Sequence, residues 1–334
     1  MGTIRWGIIG VGNVTEVKSG PGFLKARDSA LVAVMRRSAH LAEDYARRHG
    51  VARWYDDAQA LIDDPDVDAV YVATPPDSHK TYALMAAAAG KPVYVEKPMA
   101  LNFAECAVMI EACRSAGVPL FVAYYRRMLP RFLKVKELLA EGAIGEVHSV
   151  QIVLHRRVQP ASDDGSLPWR VRPEISGGGH FVDLGAHIFD FLDDALGPVR
   201  RVQGIATNAG GQYPAEDNVV TSFEFESGVV GSGSFCFSTF YERDCMELIG
   251  TRGKVAFSAF DETPILLTTA EGSIEFPIAN PSHVQQPLIQ TIVDELNGIG
   301  QCPSTGVSAS RTTQVIDQIL AGYRASALSN GALT

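Results

Sequence analysis

Short apolar runs alternate with longer amphipathic segments over the first third of the chain. Five of these runs predict buried strands, at residues 4–9, 31–35, 69–73, 93–95 and 120–123. Helical patterns lie between them, at residues 41–49, 82–89 and 103–116. Uninterrupted apolar runs are typical of strands buried on both faces, and their alternation with helices predicts βαβ units. We therefore expect an α/β domain with a doubly wound parallel sheet over residues 1–124.

The pattern changes after about Tyr124, where apolar and polar positions begin to predict longer strands. We expect strands at residues 147–157, 199–207, 218–225, 229–237 and 245–249. Helical patterns occur at residues 130–140, 181–195, 284–296 and 308–326. The turn at Ser227-Gly228 favours antiparallel pairing of the strands beside it. These features predict a second, α+β domain over residues 125–334, built on a large, mainly antiparallel open sheet.

The composition is that of an ordinary globular protein. The chain has 334 residues, of which 46% are hydrophobic and 20% are charged, and it is long enough for two cores. Its formal net charge of −9 argues against a nucleic-acid partner. The sequence contains no apolar run long enough to span a membrane and no signal peptide, so we expect a cytoplasmic protein without membrane contacts. The five scattered cysteines, without a Cys-x-x-Cys motif, indicate reduced thiols and no metal site.

A glycine-containing turn follows the first predicted strand. Glycines at such a turn let the backbone approach a pyrophosphate, and the helix that follows offers unpaired N–H groups. Thr15 occupies the position of the third glycine of the dinucleotide fingerprint, and the segment 19–22 predicts an early end to the helix. A Gly-x-Gly turn alone is weak support, but its place in a βαβ pattern favours nucleotide binding. The residues expected to contact the cofactor here are Gly10, Gly12, Asn13 and Val14.

The end of the second predicted strand indicates which dinucleotide is preferred. An NAD-preferring domain places Asp or Glu about 20 residues after the glycines, where it binds the ribose 2′-hydroxyl. Arg36 and Arg37 stand there instead. A guanidinium group binds a 2′-phosphate, whereas a carboxylate repels it. We therefore expect NADP to be favoured and NAD to remain possible, although an exposed basic pair at the start of a helix is the simpler alternative.

Two further motifs lie at the expected carboxyl ends of strands. Thr74-Pro75 follows one strand, and Glu96-Lys97-Pro98 ends the next, after Gly90-Lys91-Pro92. In the second half, Trp169-Arg170 is followed by Gly177-Gly178-Gly179 and then by Asp183 and His187, which have a four-residue helical spacing. In this order, the motifs resemble those of the glucose-fructose oxidoreductase/inositol dehydrogenase (Gfo/Idh/MocA) family of NAD(P)-dependent oxidoreductases. The resemblance covers nearly the whole chain.

The resemblance implies a Rossmann domain followed by a substrate domain, in which Lys97, Asp183 and His187 surround the reacting carbon. Oxidation of an alcohol needs a group that accepts the hydroxyl proton, and histidine titrates near neutrality. His187 is the candidate base, Asp183 orients it or binds substrate, and Lys97 stabilises a developing alkoxide. Because some relatives use Lys or Tyr, the proton carrier stays open between His187 and Lys97. Read singly, each residue also suits an ordinary solvated or paired role.

The same resemblance implies further cofactor and substrate contacts. Thr74, Pro75, Glu96 and Lys97 are expected beside the cofactor. Tyr124 and Tyr125 depart from the Asn-His common in relatives, which leaves the substrate class open. An aromatic ring and polar side chains frame a polyol by stacking and hydrogen bonding. The expected substrate-binding residues are Tyr125, Trp169, Arg170, Asp183 and His187.

The main hypothesis is therefore a dehydrogenase or reductase of a sugar, cyclitol or related polyol. One alternative is a cofactor-retaining glycoside hydrolase, in which transient oxidation leaves no net redox change. Another is a non-catalytic nucleotide-binding regulator. The resemblance also implies a homodimer or homotetramer.

Overall fold

The computed structural model describes residues 2–158 and 166–329. The strands are β1 Ile4–Ile9, β2 Ser29–Met35, β3 Arg53–Tyr55, β4 Ala69–Val72, β5 Val93–Val95, β6 Leu120–Val122, β7 Val147–Arg157, β8 Val199–Thr207, β9 Asn218–Phe225, β10 Val230–Thr239, β11 Arg243–Gly250, β12 Gly253–Phe257, β13 Ile265–Thr269 and β14 Gly272–Phe276. The α-helices are α1 Asn13–Val17, α2 Gly20–Lys25, α3 Ala39–His49, α4 Ala58–Asp63, α5 His79–Ala88, α6 Phe103–Ala116, α7 Pro130–Ala140, α8 Pro173–Ser176, α9 Ala186–Leu196, α10 Gln286–Leu296 and α11 Gly306–Ser329. Short 3₁₀ turns cover Pro76–Ser78, Tyr125–Met128 and Trp169–Val171, and a π-helical turn covers Phe181–Gly185.

The chain divides into two compact units. The first contains the chain up to Leu129 together with Pro281–Ser310, and the second contains Pro130–Asn280 and the chain from Arg311 onward. This division differs from the single expected boundary at residue 124, because a later segment returns to the first unit. A β-carbon on Gly22 of α2 would stand 2.9 Å from Ile289 Cδ1 of α10. This close packing places α10 in the first unit.

The first unit is built on a six-stranded parallel sheet. The strand order is β3-β2-β1-β4-β5-β6, and β4, β5 and β6 are buried along their whole length. This confirms the predicted doubly wound sheet. The direction of strand progression reverses between β1 and β4, and ligands of such sheets bind at the carboxyl ends of the strands at that point.

The second unit is built on an eight-stranded sheet with the order β14-β13-β12-β11-β7-β10-β9-β8. Its neighbours pair antiparallel except for β7 and β10, which are parallel, so the predicted α+β fold is confirmed with one parallel pair. Side chains alternate along β9, where Val219, Phe223 and Phe225 are buried. Phe189 of α9 packs edge-on against Phe223 with ring centroids 5.4 Å apart. The apolar core of this unit therefore lies between α9 and one face of the sheet.

None of the helices in the described ranges is long and apolar enough to cross a membrane.

Candidate active site

The glycine turn lies where three strands of the first unit end. Gly10 has a φ of +93°, a left-handed conformation that favours glycine. A β-carbon there would stand 2.5 Å from Thr74 Cγ2, so the turn packs directly on the residue two positions after β4. The Gly10 N–H donates to the Met35 carbonyl at 2.8 Å, at the end of β2. The structure thus brings together Gly10, Thr74 and the start of the Arg36 segment.

Gly12 and Thr15 have different roles in this turn. A β-carbon on Gly12 would have no atom within 4 Å. No contact within the protein therefore requires glycine at this position. The Gly12 N–H donates to Thr15 Oγ1 at 2.9 Å, and that hydroxyl donates back to the Gly12 carbonyl at 2.9 Å. The buried Thr15 therefore fixes the turn in place of the third glycine. The predicted helix break is confirmed, since α1 ends at Val17 and α2 begins at Gly20.

Arg36 and Arg37 are exposed directly after β2. The Arg36 N–H donates to the Tyr55 carbonyl at 3.2 Å, which fixes its backbone beside β3. Met35, its neighbour in sequence, accepts the Gly10 N–H described above. The Arg36 side chain therefore starts from the same end of the sheet as the glycine turn.

A buried histidine joins two loops of the first unit. His79 Nε2 lies 2.7 Å from the Thr74 carbonyl, and Nδ1 lies 3.1 Å from the Pro98 carbonyl. Burial lowers the pKa of this imidazole. The Lys97-Pro98 peptide bond between β5 and α6 is cis. His79, which the sequence analysis did not select, thus connects the Thr74-Pro75 loop to the loop that carries Lys97.

Glu96 lies in a buried hydrogen-bond network. Its Oε1 accepts from the Tyr71 hydroxyl at 2.5 Å and from Gln285 Nε2 at 2.5 Å. Its Oε2 accepts from the Lys97 N–H at 3.1 Å, and the Tyr94 hydroxyl donates to Gln285 Oε1 at 2.9 Å. Burial, followed by the charge of Glu96, raises the pKa of both phenols. The carboxylate therefore fixes the backbone from which the Lys97 side chain extends.

Tyr125 has an unusual electrostatic environment. It is 7% exposed and lies in the 3₁₀ turn after β6. Burial raises the pKa of its phenol, but the positive charges of Arg126, Lys18 and Lys97 outweigh this effect and leave the pKa below its ordinary value. The Tyr125 phenol is therefore more acidic than an ordinary tyrosine and lies within electrostatic reach of Lys97.

Asp183 and His187 lie on consecutive helical segments of the second unit. Asp183 is in the π-helical turn, where its N–H donates to the Gly179 carbonyl at 3.3 Å, and His187 is in the first turn of α9. His187 is 3% exposed, and its ring lies edge-on to Phe260 with centroids 6.1 Å apart. The predicted helix is thus present, but its first turn is wider than an α-helix, a form that is frequent at functional sites.

Trp169, Arg170 and Asp183 come together in the second unit. Arg170 Nε lies 3.4 Å from Asp183 Oδ2, and the Arg170 guanidinium lies over the Trp169 ring, 4.5 Å from its centroid. The Arg170 side chain is 41% exposed, so solvent weakens this ion pair. An aromatic face, a guanidinium and a carboxylate are therefore grouped here.

His180 was missed by the sequence analysis. It lies three residues before Asp183, and its ring contacts Tyr213 and Phe237 with centroid distances of 5.6 and 5.5 Å. Burial lowers the pKa of this imidazole, while the charge of Asp183 opposes the shift. The only sequence signal was a second histidine in the same helical segment.

Comparison with known proteins identifies the family. Residues 4–124 match the model of an oxidoreductase family with an NAD-binding Rossmann fold. Residues 132–256 match the Gfo/Idh/MocA C-terminal domain. The chain belongs to the Gfo/Idh/MocA family. This Gfo/Idh/MocA protein is therefore a member of an oxidoreductase family whose first domain is an NAD-binding Rossmann fold.

Similar proteins cover almost the whole length of this family member. It is 40% identical over 316 residues to an oxidoreductase from Formosa agariphila, a match that covers 94% of this chain and 97% of the relative. It is 30% identical over 309 residues to 1,5-anhydro-D-fructose reductase from Ensifer adhaerens, covering 90% and 91%. Its fold is similar to that of an oxidoreductase from Agrobacterium radiobacter solved with NAD⁺, L-tartaric acid and magnesium, with a TM-score of 0.84, 21% identity and coverage of 98% and 97%.

The first unit of this Gfo/Idh/MocA protein fits the dinucleotide that its family binds. The open space at Gly12 lets a pyrophosphate approach the backbone, and the first N–H groups of a helix have no acceptor within that helix. Asn13 and Val14 would hold the phosphates beside the open space at Gly12, while Thr74 lies at the adjoining strand end. In the described part of the chain, no group of His, Cys, Asp or Glu side chains has an arrangement that would hold a metal ion.

Proposed function

We propose that this protein is an NADP(H)-preferring oxidoreductase that interconverts a hydroxyl and a carbonyl group on a sugar, cyclitol or related polyol. The observation that carries the proposal is the Asp183 carboxylate held 3.4 Å from Arg170, four residues before the buried imidazole of His187. A positively charged guanidinium and a negatively charged carboxylate near the Trp169 ring suit hydrogen bonding to a compact, polyhydroxylated substrate. The likeness to 1,5-anhydro-D-fructose reductase supports reduction of a sugar-like ketone.

The proposed chemistry gives each of three side chains a role. When bound, NADP(H) would supply the hydride for reduction of the carbonyl carbon and would take up the hydride in oxidation. His187 donates a proton to the developing alkoxide in reduction and removes the hydroxyl proton in oxidation. The Lys97 ammonium stabilises negative charge on that oxygen. Asp183 binds a substrate hydroxyl or orients the imidazole.

The proton carrier is a separate part of the proposal. His187 is favoured because imidazole titrates nearest neutrality. Lys97 is the alternative, and the lowered pKa of Tyr125 beside Lys97 adds a phenol that is able to relay the proton. We propose from their chemistry that Lys97 and His187 act on one substrate.

The NADP preference is supported by the exposed Arg36 at the end of β2. A guanidinium makes paired hydrogen bonds to a phosphate and gains nothing comparable from a ribose hydroxyl. Arg37 provides a second positive charge beside it.

The proposed assembly is a homodimer or homotetramer in the cytoplasm. Ile205, Val220 and Val230 are exposed by 75%, 53% and 53%, and Ile205 pairs directly with Val220. Apolar side chains on an open sheet face favour a covering partner. Light scattering after gel filtration measures the mass, and a monomer would contradict this part of the proposal.

The experiment that tests the function is a panel of sugars, cyclitols and their keto forms, assayed with NADPH, NADH and their oxidised forms. The proposal predicts stoichiometric nicotinamide turnover with 1,5-anhydro-D-fructose or another sugar-derived ketone. Cleavage of a glycoside without net nicotinamide change would instead support a glycoside hydrolase. Tight cofactor binding without turnover of any compound would support a regulator.

A further inference from the structure

Glu216 is a buried carboxyl group that the proposed mechanism does not use. It lies just before β9, is 1% exposed, and its Oε1 accepts the Gly179 N–H at 2.7 Å. The Val182 backbone lies close enough to lower the pKa of this carboxyl group. Glu216 therefore contacts the glycine segment that leads into the π-helical turn carrying Asp183.

Two glycines of this segment, Gly178 and Gly179, pack closely against Glu216. A β-carbon on either Gly178 or Gly179 would stand 3.2 Å from a Glu216 carboxyl oxygen, and one on Gly179 would stand 2.5 Å from the Glu216 carbonyl. Glycine at position 179 is therefore required by the Glu216 main chain, whereas a β-carbon on Gly178 would collide with the Val182 side chain and would also crowd the carboxyl group. The second and third glycines of the Gly177-Gly178-Gly179 motif thus have a partner, 37 residues away in sequence, that fixes where the segment lies.

We propose that Glu216 is a positioning residue for Asp183 and His187, and that its protonation state controls how firmly their helical segment is held. The inference rests on the proposed function for the roles of Asp183 and His187. The contact between Glu216 and the glycine segment is a feature of the structure and is independent of the proposed function.

The charge state of Glu216 depends on its surroundings. Burial raises the pKa of its carboxyl group to about 7, while the backbone hydrogen bonds from Gly179 and the positive charge of Arg324 oppose that shift. Arg324 itself donates to the Gly177 carbonyl at 2.8 Å. Tyr213 and Tyr323 also interact electrostatically with Glu216 and with the neighbouring Asp217.

The sign of the effect follows from linkage. Any opening of the segment that exposes Glu216 to water returns its pKa toward the ordinary value of 4.5. Deprotonation therefore favours the open form between that value and about 7, and the opening equilibrium rises by up to about tenfold for each pH unit in this interval. Above about pH 7, the opening equilibrium no longer rises with pH. The neutral acid holds the segment more firmly than the carboxylate.

Amide hydrogen exchange of the protein alone, corrected for intrinsic rates, tests the proposal without reference to activity. We expect the protection factors of residues 178–187 to fall by roughly 10- to 100-fold between pH 5 and pH 7 in the wild type. Glu216→Gln should remove this dependence, because its side chain keeps a carbonyl oxygen for the Gly179 N–H but does not titrate. The matched control is Glu224→Gln on β9, which should retain the wild-type profile.

Kinetics with 1,5-anhydro-D-fructose and NADPH supply the second measurement. Glu216→Ala leaves the Gly179 N–H without its acceptor, and we expect kcat to fall by about 10- to 100-fold with little change in the NADPH Kd. Glu216→Gln should restore most of this loss. If the alanine variant does not fold, or the ketone is not reduced, the hydrogen-exchange comparison still decides.

A pH-independent protection profile in the wild type, or an unchanged profile in Glu216→Gln, would overturn the inference. An alanine variant with wild-type kcat would also overturn it. Failure of the proposed function has a different signature, namely no polyol or ketone turnover with the hydrogen-exchange difference intact.

Discussion

The Gly10 backbone lies so close to Thr74 that a β-carbon at position 10 would stand 2.9 Å from the Thr74 amide nitrogen. At Gly12, two residues later, a β-carbon would meet nothing within 4 Å. Two glycines of one motif are therefore present for different reasons. The first is required by the fold, and the second leaves space that suits a phosphate.

This difference predicts opposite outcomes for two alanine substitutions. Gly10→Ala should destabilise the protein by about 1–3 kcal/mol, because it combines a left-handed backbone with a steric clash. Gly12→Ala should change the melting temperature little, but should weaken NADPH binding by at least about tenfold, since the methyl group occupies the phosphate approach. Thermal melts measure the stability of the two variants, and calorimetry measures their affinity for NADPH. Equal cofactor affinity in Gly12→Ala and wild type would contradict a phosphate site there.

The exposed Arg36 predicts a selective change in cofactor affinity. Arg36→Asp should weaken NADPH binding by roughly 10- to 100-fold, the range expected for a charge-assisted hydrogen-bond pair. NADH binding should change much less. Isothermal titration calorimetry of both cofactors measures the ratio, and Arg47→Ala, an exposed arginine on α3, serves as the control. Equal binding of NADPH and NADH by the wild type would refute the preference.

The roles of His187 and Lys97 predict losses in kcat without loss of cofactor. His187→Asn should lower kcat by about 10²- to 10⁴-fold, the usual contribution of a general acid–base group. The NADPH Kd should stay near that of the wild type. Lys97→Met should also lower kcat, but it should retain the pH dependence near neutrality if His187 carries the proton. His148→Ala, at an exposed histidine on β7, is the control. If the pH profile of kcat keeps its inflection near neutrality in His187→Asn, another group carries the proton.

The raised pKa of Glu216 also predicts how global stability depends on pH. Because its folded pKa of about 7 lies above the ordinary 4.5, the neutral acid stabilises the fold below the lower value. That stabilisation, at most about 3 kcal/mol, is lost as the pH rises through about 7. Urea unfolding at pH 5 and pH 8 should show a smaller pH difference for Glu216→Gln than for wild type. A larger difference in the variant would contradict the assignment.

Most of the fold could be predicted from the sequence, because the patterns of apolar positions that indicate strands and helices are local. The predicted bounds of β1, β5, β7, β8 and β9 are those observed, since continuous or alternating apolar positions define them. β3 was missed because Arg53–Tyr55 has only three residues and is not fully buried. β14 was missed because Gly272–Phe276 is almost entirely exposed. The return of α10 to the first unit was also missed, since an apolar helix face does not specify which sheet it covers.

The candidate site could be predicted where its chemistry is contiguous in sequence. Lys97 and His187 stand in short motifs. His79 and Glu216 lie outside those motifs and contact main-chain atoms of Thr74, Pro98 and Gly179. No spacing rule connects Glu216 to Gly179, although the packing of one against the other is visible at once in the structure. The sequence therefore indicates candidate reactive side chains more readily than the groups that we propose position them.

The most direct test of the account follows a single hydrogen atom. NADPH carrying deuterium at the nicotinamide C4, prepared as each stereoisomer, is incubated with 1,5-anhydro-D-fructose, and the product is examined by mass spectrometry and NMR. The account predicts that one of the two stereoisomers delivers one carbon-bound deuterium to the former carbonyl carbon for each NADP formed, and that His187→Asn slows this transfer. Full reduction without carbon-bound deuterium from either stereoisomer would contradict hydride transfer by this protein.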